Sequence, residues 1–544
     1  MKPVTGLTRL HFYRMLVALL IFVPAGWAKA GLDQVAAAIR YEATLSNDGA
    51  AGRPLPLAAH WNTGVFSDGF QPEYQLAMIE RGHYLLPAFF LPEPWKIESY
   101  FPGRYAYYEK AIRKAAELNL PISFIGTQWE RYLTVAPQYF YRVGNENPNV
   151  IEKTGAILKK VSPFGPMDLW REVGQKWTST ELLKKLQEWY PDPPLVLFIS
   201  NNEHDKLSWD EVEESSRYLS EFGLNQNDDF KRAIVAKRWI ARYRALQGGM
   251  RDALIDADWN KRSEFIAYNA FGPRSFGRWK DWRRYSLYIP GRIDPWPLAW
   301  DGASLSYYVN HWNSRTDFTV MSPQIEAMNQ VFMVDEARRL NPGFRLELST
   351  WDGYVPTQAN DKRKYYATLG QTYSPERYKG YVQFGMWLLR PGLVREFRGN
   401  ESVFSEDEPY FLSVVNAVDR VHNTPLLTQF WRNGRLVANA QHPHPYQTDI
   451  PQEYKEVSRW FLLDTDLDPK RPWNLDTYIP VFSLALVTGE RPNREWLVYA
   501  HSPLREFHDV RVDIPDYAPV VLNTSPGGDF YHVIEKTGQV RLVD

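Results

Sequence analysis

Pro194-Leu-Val-Leu-Phe-Ile-Ser-Asn-Asn-Glu-His204 is a mostly apolar run that ends abruptly in four polar residues. An unbroken apolar run of this length, bounded by turn residues, suits a strand covered on both faces, as in a parallel sheet under helices. The turn residues ahead of it are Pro191-Asp192-Pro193-Pro194. Behind it, Ser208 with Glu211 forms a capping box that opens a helix. Strand, polar exit and capped helix together make one βα unit.

The same rhythm extends in both directions. β-rich runs fall at Leu57 to Trp61, Tyr84 to Phe90, Ile122 to Gly126, Leu195 to Ser200, Glu264 to Tyr268, Ser304 to Val309, Phe344 to Leu348 and Tyr381 to Trp387. Helical signals separate them. Thr178 with Glu181 reads as a second capping box, and Ser322-Pro323 opens a helix that runs through Leu340 and stops at Pro342-Gly343. Eight strands alternating with helices predict a (β/α)8 barrel over residues 31–400. The long gap between the third and fourth runs predicts an inserted lid or subsite wall over residues 131–175. After Pro391 the pattern changes, and residues 405–544 read as a C-terminal antiparallel β-sandwich with an early helix around Pro451 to Phe461.

Residues 1–30 read as a signal peptide: Lys2, Arg9 and Arg14 precede an apolar run from Met15 to Val23, and Ala28-Lys29-Ala30 is a small-x-small cleavage site. That run is shorter than the roughly 20 residues of a membrane span. The expectation is a secreted or periplasmic protein without a membrane span. The chain has no cysteine, which excludes disulfides, thiolate metal sites and a cysteine nucleophile. Its net charge of -1 gives no field for nucleic acid. The excess is aromatic, with 21 Trp, 32 Tyr and 28 Phe, and aromatic faces cover the C–H faces of sugar rings. No Gly-x-Ser-x-Gly elbow, His-Glu-x-x-His helix, phosphate loop or dinucleotide fingerprint occurs, and no cofactor or metal is expected.

In a barrel the active site lies where strands end. Asn201-Asn202-Glu203-His204 stands at such an end, and Glu203 is a natural general acid. The second carboxylate is expected across the barrel at Glu347, within Phe344-Arg-Leu-Glu-Leu-Ser-Thr-Trp-Asp-Gly353. A Glu flanked by two leucines on a buried strand is costly unless functional or paired, and its plainer reading is an ion pair to an inward arginine. Asp352, Glu130 and Glu264 are the substitute carboxylates. His60, Trp61, Trp129 and Trp351, at or just past strand ends, are candidate substrate contacts. Arg278-Trp-Lys-Asp-Trp-Arg-Arg-Tyr285 interleaves cations with aromatics in a way that suits an anionic sugar or an ordinary solvated loop. His442 and His444 carry little metal signal.

An Asn-Glu pair ending strand four and a Glu on strand seven resemble the retaining (β/α)8 glycosidases of clan A, and Asn-Asn-Glu-His is similar to agarase- and carrageenase-type hydrolases of marine polysaccharides. The resemblance implies that Glu203 is the acid/base, Asn202 the partner of the sugar 2-hydroxyl, and Glu347 the nucleophile. It also implies that Trp387 floors the cleaved sugar's site and that Tyr307 or Tyr308 orients the nucleophile. Leu346 and Leu348 beside Glu347, and the lack of a clear strand-two arginine, depart from the pattern. The implied function is a secreted retaining glycoside hydrolase acting on a polysaccharide or its oligosaccharides. A non-catalytic carbohydrate-binding barrel and a polysaccharide lyase are the alternatives.

Overall fold

The computed structural model describes residues 35–40, 56–60, 72–83, 89–90, 102–127, 129–201, 206–268, 296–308, 322–351, 372, 374–396, 404–439, 461–468 and 479–544. The expected signal peptide and the helix expected at Pro451 to Phe461 thus lie, but for residue 461, outside the described residues, as do Arg278 to Tyr285, His442 and His444.

Eight parallel strands form one sheet: β1 (Leu57–His60), β2 (Phe89–Phe90), β3 (Ile122–Thr127), β4 (Val196–Asn201), β5 (Ser263–Tyr268), β6 (Gly302–Tyr308), β7 (Arg345–Trp351) and β8 (Leu393–Glu396). Neighbours follow chain order from β2 to β8, and β1 pairs with β8 in parallel, so the sheet curls towards a barrel. Helices α1 (Pro72–Glu80), α2 (Pro102–Glu117), α3 (Asp168–Thr178), α4 (Glu181–Trp189), α5 (Asp228–Asp252), α6 (Ser322–Leu340), α7 (Pro375–Leu389) and α8 (Phe404–Asn423) lie between and after the strands. Two further antiparallel sheets lie towards the C-terminus, with five and three strands. Val498 and Val533 of the larger and Val512 and Leu522 of the smaller share one core.

Side chains alternate along each strand. One set, including Ile125, Ile199, Ile266, Tyr308, Trp351 and Leu393, forms an inner cluster. The other set joins the helix layer. There Phe124, Phe198 and Phe265 sit in register on β3, β4 and β5 and stack at centroid separations of 5.2 and 5.3 Å. Trp129, Trp259 and Trp300 enclose that ladder.

The structure corrects the eighth strand. Tyr381 to Trp387 lies within α7, and β8 follows it. From Gly380 to Leu389 every residue of the helix is buried, because this stretch is covered on both sides. Tyr381 stacks on Tyr307 of β6 at 4.1 Å, while Phe384 meets Phe482 and Trp387 meets Trp431 and Phe530 of the C-terminal part. The start signal is Ser374-Pro375, the same pair that opens α6.

Two boundaries also move. Thr180, rather than Thr178, caps α4 by accepting from the Leu183 amide. Residues expected to begin the sandwich are helical, in α8 and in α9 (Pro425–Asn433), and α8 packs on β1 and β8. Ser208 and Glu211 do form a capping box, which opens a short 3-10 helix, Trp209–Glu214.

α3 and α5 approach through glycine. A Cβ on Gly174 would run into the Leu246 carbonyl oxygen, and one on Gly249 into that of Arg171. Gly174→Ala gains about 1 kcal/mol of helix propensity, but overpacking against backbone costs about 1–3 kcal/mol. The clash is with backbone, which cannot rotate away, so the variant is expected to be less stable. A lower urea midpoint at unchanged slope checks this.

The C-terminal sheets dock on α7 through polar bonds: the Tyr499 hydroxyl donates to the Gly380 carbonyl at 2.6 Å and Gln383 to that of Gly527 at 2.8 Å. His501 is fully buried at the same contact, where Gly380 leaves room for its ring. Burial, aided by Arg377, pushes its imidazole down to about 3. The unfolded chain takes up this proton below its ordinary value of 6.5 and the folded chain does not, so stability falls as pH drops from 6.5 towards 3. Relative to His501→Phe, the wild type is expected to lose stability progressively across that window in urea titrations. A difference independent of pH contradicts the assignment.

Candidate active site

Glu347 is the third residue of β7 and points inward, with no solvent exposure. Arg395 of β8 grips it as a fork, its Nε donating to Oε1 at 2.7 Å and its Nη2 to Oε2 at 3.0 Å. Ser304 of β6 donates a third bond to Oε1 at 2.8 Å. Both carboxylate oxygens are therefore engaged, and the arginine side chain is equally buried. Glu347 precedes Trp351, the last residue of β7, by four positions, or roughly 13 Å at the rise of a strand. The pair is held within the sheet, below its C-terminal rim.

At the rim, the rings of Tyr308 and Trp351 meet edge to face at 5.5 Å on the inner side, both almost wholly buried. Asn201 ends β4. Asn202, Glu203 and Trp61 lie outside the described residues, as does Asp352. His60 is the last residue of β1. The structure brings Tyr308 and Trp351 together at the end where Glu203 and Asp352 leave their strands in sequence.

Three expected substrate contacts sit elsewhere. Trp129 is buried on the helix side, edge-on to Phe198 and Phe265 at 6.4 and 6.0 Å. Tyr307 also faces the helices, where its hydroxyl donates to the Tyr381 carbonyl. Trp387 is on α7, not on strand eight, and its ring is spent on Trp431 and Phe530. Tyr307 and Tyr308, neighbours on β6, lie on opposite faces of the sheet, as strand alternation requires.

By sequence, no known protein family and no curated protein matches this chain. Among solved structures, the glycoside hydrolase domain of PgaB (BpsB) from Bordetella bronchiseptica has a TM-score of 0.33 and 14% identity over 57% of this chain and 78% of that one. An agarase, AgWH50C, has a TM-score of 0.30 and 10% identity over 62% of this chain and 49% of that one.

The substitute carboxylates separate by depth. Glu264, at the start of β5, is paired with Arg345 at the start of β7, which reaches it past Gly302 of β6 with Nη2 to Oε1 at 2.8 Å. That is the opposite end from the polar exits. Glu130, three residues past the end of β3, is fully buried and accepts from the Tyr243 hydroxyl at 2.8 Å. Among the described residues, no group of three or more His, Asp and Glu side chains could hold a metal ion.

Arg395 is not among the residues expected from sequence, because Tyr381 to Trp387, the expected eighth strand, is helical and the strand follows it. The sequence signal is Leu393-Val-Arg-Glu396, in which two opposite charges directly follow an apolar pair.

Removing one member of a buried ion pair strands the other, at a cost of about 3–5 kcal/mol. Arg395→Met is expected to destabilise the protein by that amount, and adding Glu347→Leu to restore most of it. A double variant no more stable in urea than Arg395→Met contradicts the pairing.

Proposed function

We propose that this chain is an exported (β/α)8 glycoside hydrolase that cleaves β-glycosidic bonds of a polysaccharide or its oligosaccharides by double displacement. The observation that carries the reading is the arrangement of the inner rim: a strand leading directly into Asn-Asn-Glu-His, in the same sheet as the inward Tyr308–Trp351 pair. The buried Tyr308–Trp351 pair gives that rim an apolar floor, and a carboxylic acid two residues past the end of β4 in sequence suits protonation of a glycosidic oxygen. Export rests on the basic, apolar and small-x-small order of residues 1–30. No helix among the described residues is long and apolar enough to cross a membrane.

In this proposal Glu203 is the acid/base and Asn202 bonds the sugar 2-hydroxyl. The second carboxylate belongs at the end of β7. Two residues compete for it. Glu347 lies four positions below the last strand residue with both oxygens engaged, and Asp352 follows that residue directly. Catalytic groups on such sheets come from strand ends, so Asp352 is the favoured nucleophile and Glu347 part of the scaffold. The nucleophile attacks the anomeric carbon while Glu203 protonates the departing oxygen. Water, deprotonated by Glu203, then releases the sugar with its configuration kept.

Azide separates these roles on 2,4-dinitrophenyl β-glycosides, whose leaving group needs no proton. Asp352→Gly vacates the nucleophile's place, so azide is expected to restore turnover with an α-glycosyl azide product. Glu203→Gly leaves the glycosyl-enzyme to be intercepted, giving a β-glycosyl azide. An α-azide from Glu347→Gly instead moves the nucleophile to Glu347. No hydrolysis by the wild type across polysaccharides and aryl glycosides, or an unsaturated product absorbing in the ultraviolet, overturns the hydrolase reading.

A further inference from the structure

A second buried ion pair lies at the exits of β3 and β4. Glu130 stands in the 3-10 turn Trp129–Arg131, three residues past Thr127, the last residue of β3, and Lys206 is five residues beyond Asn201, the last residue of β4. Lys206 Nζ is 3.7 Å from Glu130 Oε1, with side-chain exposures of 3% and 0%. Tyr243 of α5 completes the group: its hydroxyl donates to the same oxygen, and the ammonium lies 5.9 Å from its ring centroid. Burial first, and the Glu130 carboxylate second, push the Tyr243 phenol far above its ordinary range, so it remains a neutral donor.

The backbone around Lys206 is tied in three further directions. Residue 206 bridges Val161, the end of a hairpin in the inserted segment (Asn149–Ile151 paired with Ile157–Val161), and the Leu207 amide donates to the Val161 carbonyl at 3.1 Å. The Trp239 indole of α5 donates to the Leu207 carbonyl at 3.3 Å. Lys160, next to Val161, pairs with Glu211 at 2.9 Å. The four residues from Asn202 to Asp205 are thus bounded by strand pairing at one end and by this knot at the other.

A buried ion pair adds little net stability over an apolar pair of the same volume. What it supplies is a fixed spacing, because moving either charge leaves both uncompensated. We infer that Glu130 and Lys206 are positioning residues for the general acid at the β4 exit, a reading that rests on the proposed role of Glu203. A misplacement of about 1 Å can cost on the order of 100-fold in rate. The inserted segment 131–175, expected from sequence as a lid or subsite wall, has through Val161 a part in holding that exit.

The leaving group exposes such a role. A displaced general acid hurts substrates that need protonation, such as phenyl or methyl glycosides, and spares dinitrophenyl glycosides, whereas a general loss of folding lowers all alike. Glu130→Gln keeps shape and the Tyr243 bond but removes the charge. It is expected to lower kcat on phenyl β-glycosides by roughly 30- to 100-fold while changing dinitrophenyl β-glycosides less than about threefold. Tyr243→Phe, which leaves both charges in place, is expected to show a smaller loss with the same leaving-group bias. Lys206→Arg should retain more activity than Lys206→Met. Equal losses on both substrates in Glu130→Gln and Tyr243→Phe overturn the inference and leave the hydrolase reading intact. An inactive wild type overturns both.

Discussion

A carboxylate and a guanidinium without solvent are the constraint around which the parallel sheet is organised. Glu347 and Arg395 occupy adjacent strands and face inward, where an unpaired charge is prohibitive. The fork, with Ser304 as a third donor, admits only one relative placement of β6, β7 and β8. A one-residue slip of β8 would turn Arg395 to the helix side and leave Glu347 stranded. The hydrophobic inner cluster fixes where the sheet's interior lies; the ion pair fixes its register. Below it, Glu264 and Arg345 repeat the device at the other end of the strands, with Gly302 giving the arginine passage.

α7 links that sheet to the C-terminal part. Its Tyr381 face lies on β6, its Phe384 and Trp387 face lies on the antiparallel sheet, and its Gly380 backbone receives Tyr499 and sits against His501. A helix covered on both sides has no polar stripe. For that reason its sequence carries no helical period, and its middle reads as a strand. The C-terminal sheets therefore brace the sheet's β6–β8 sector, which holds Tyr308, Trp351 and the ion pair.

Most strands were legible because each is an apolar run closed by turn residues. β7 was legible in place but not in extent. Phe344 to Leu348 was expected, and the strand continues through Ser349, Thr350 and Trp351, which pair with Ser306, Tyr307 and Tyr308 of β6. Those three residues move Glu347 from the strand's end to its interior and make Trp351 the last strand residue. The inward-arginine reading of Glu347 was available from its leucine neighbours, but the arginine itself was hidden by the misplaced eighth strand. Trp129, Tyr307 and Trp387 show the limit of reading aromatics: composition announces rings, and only packing decides which side of the sheet they take. The Glu130–Lys206 knot joins residues separated by 76 positions through Tyr243, and no local pattern announces such a contact.

The central claim is that chemistry resides at the strand ends while Glu347 serves the scaffold. Trapping with 2-deoxy-2-fluoro β-glycosides bearing a dinitrophenyl leaving group tests it directly, because the slow deglycosylation leaves the sugar on the nucleophile. Tandem mass spectrometry of the labelled peptide is expected to place the fluoro-sugar ester on Asp352. An ester on Glu347 would contradict the account.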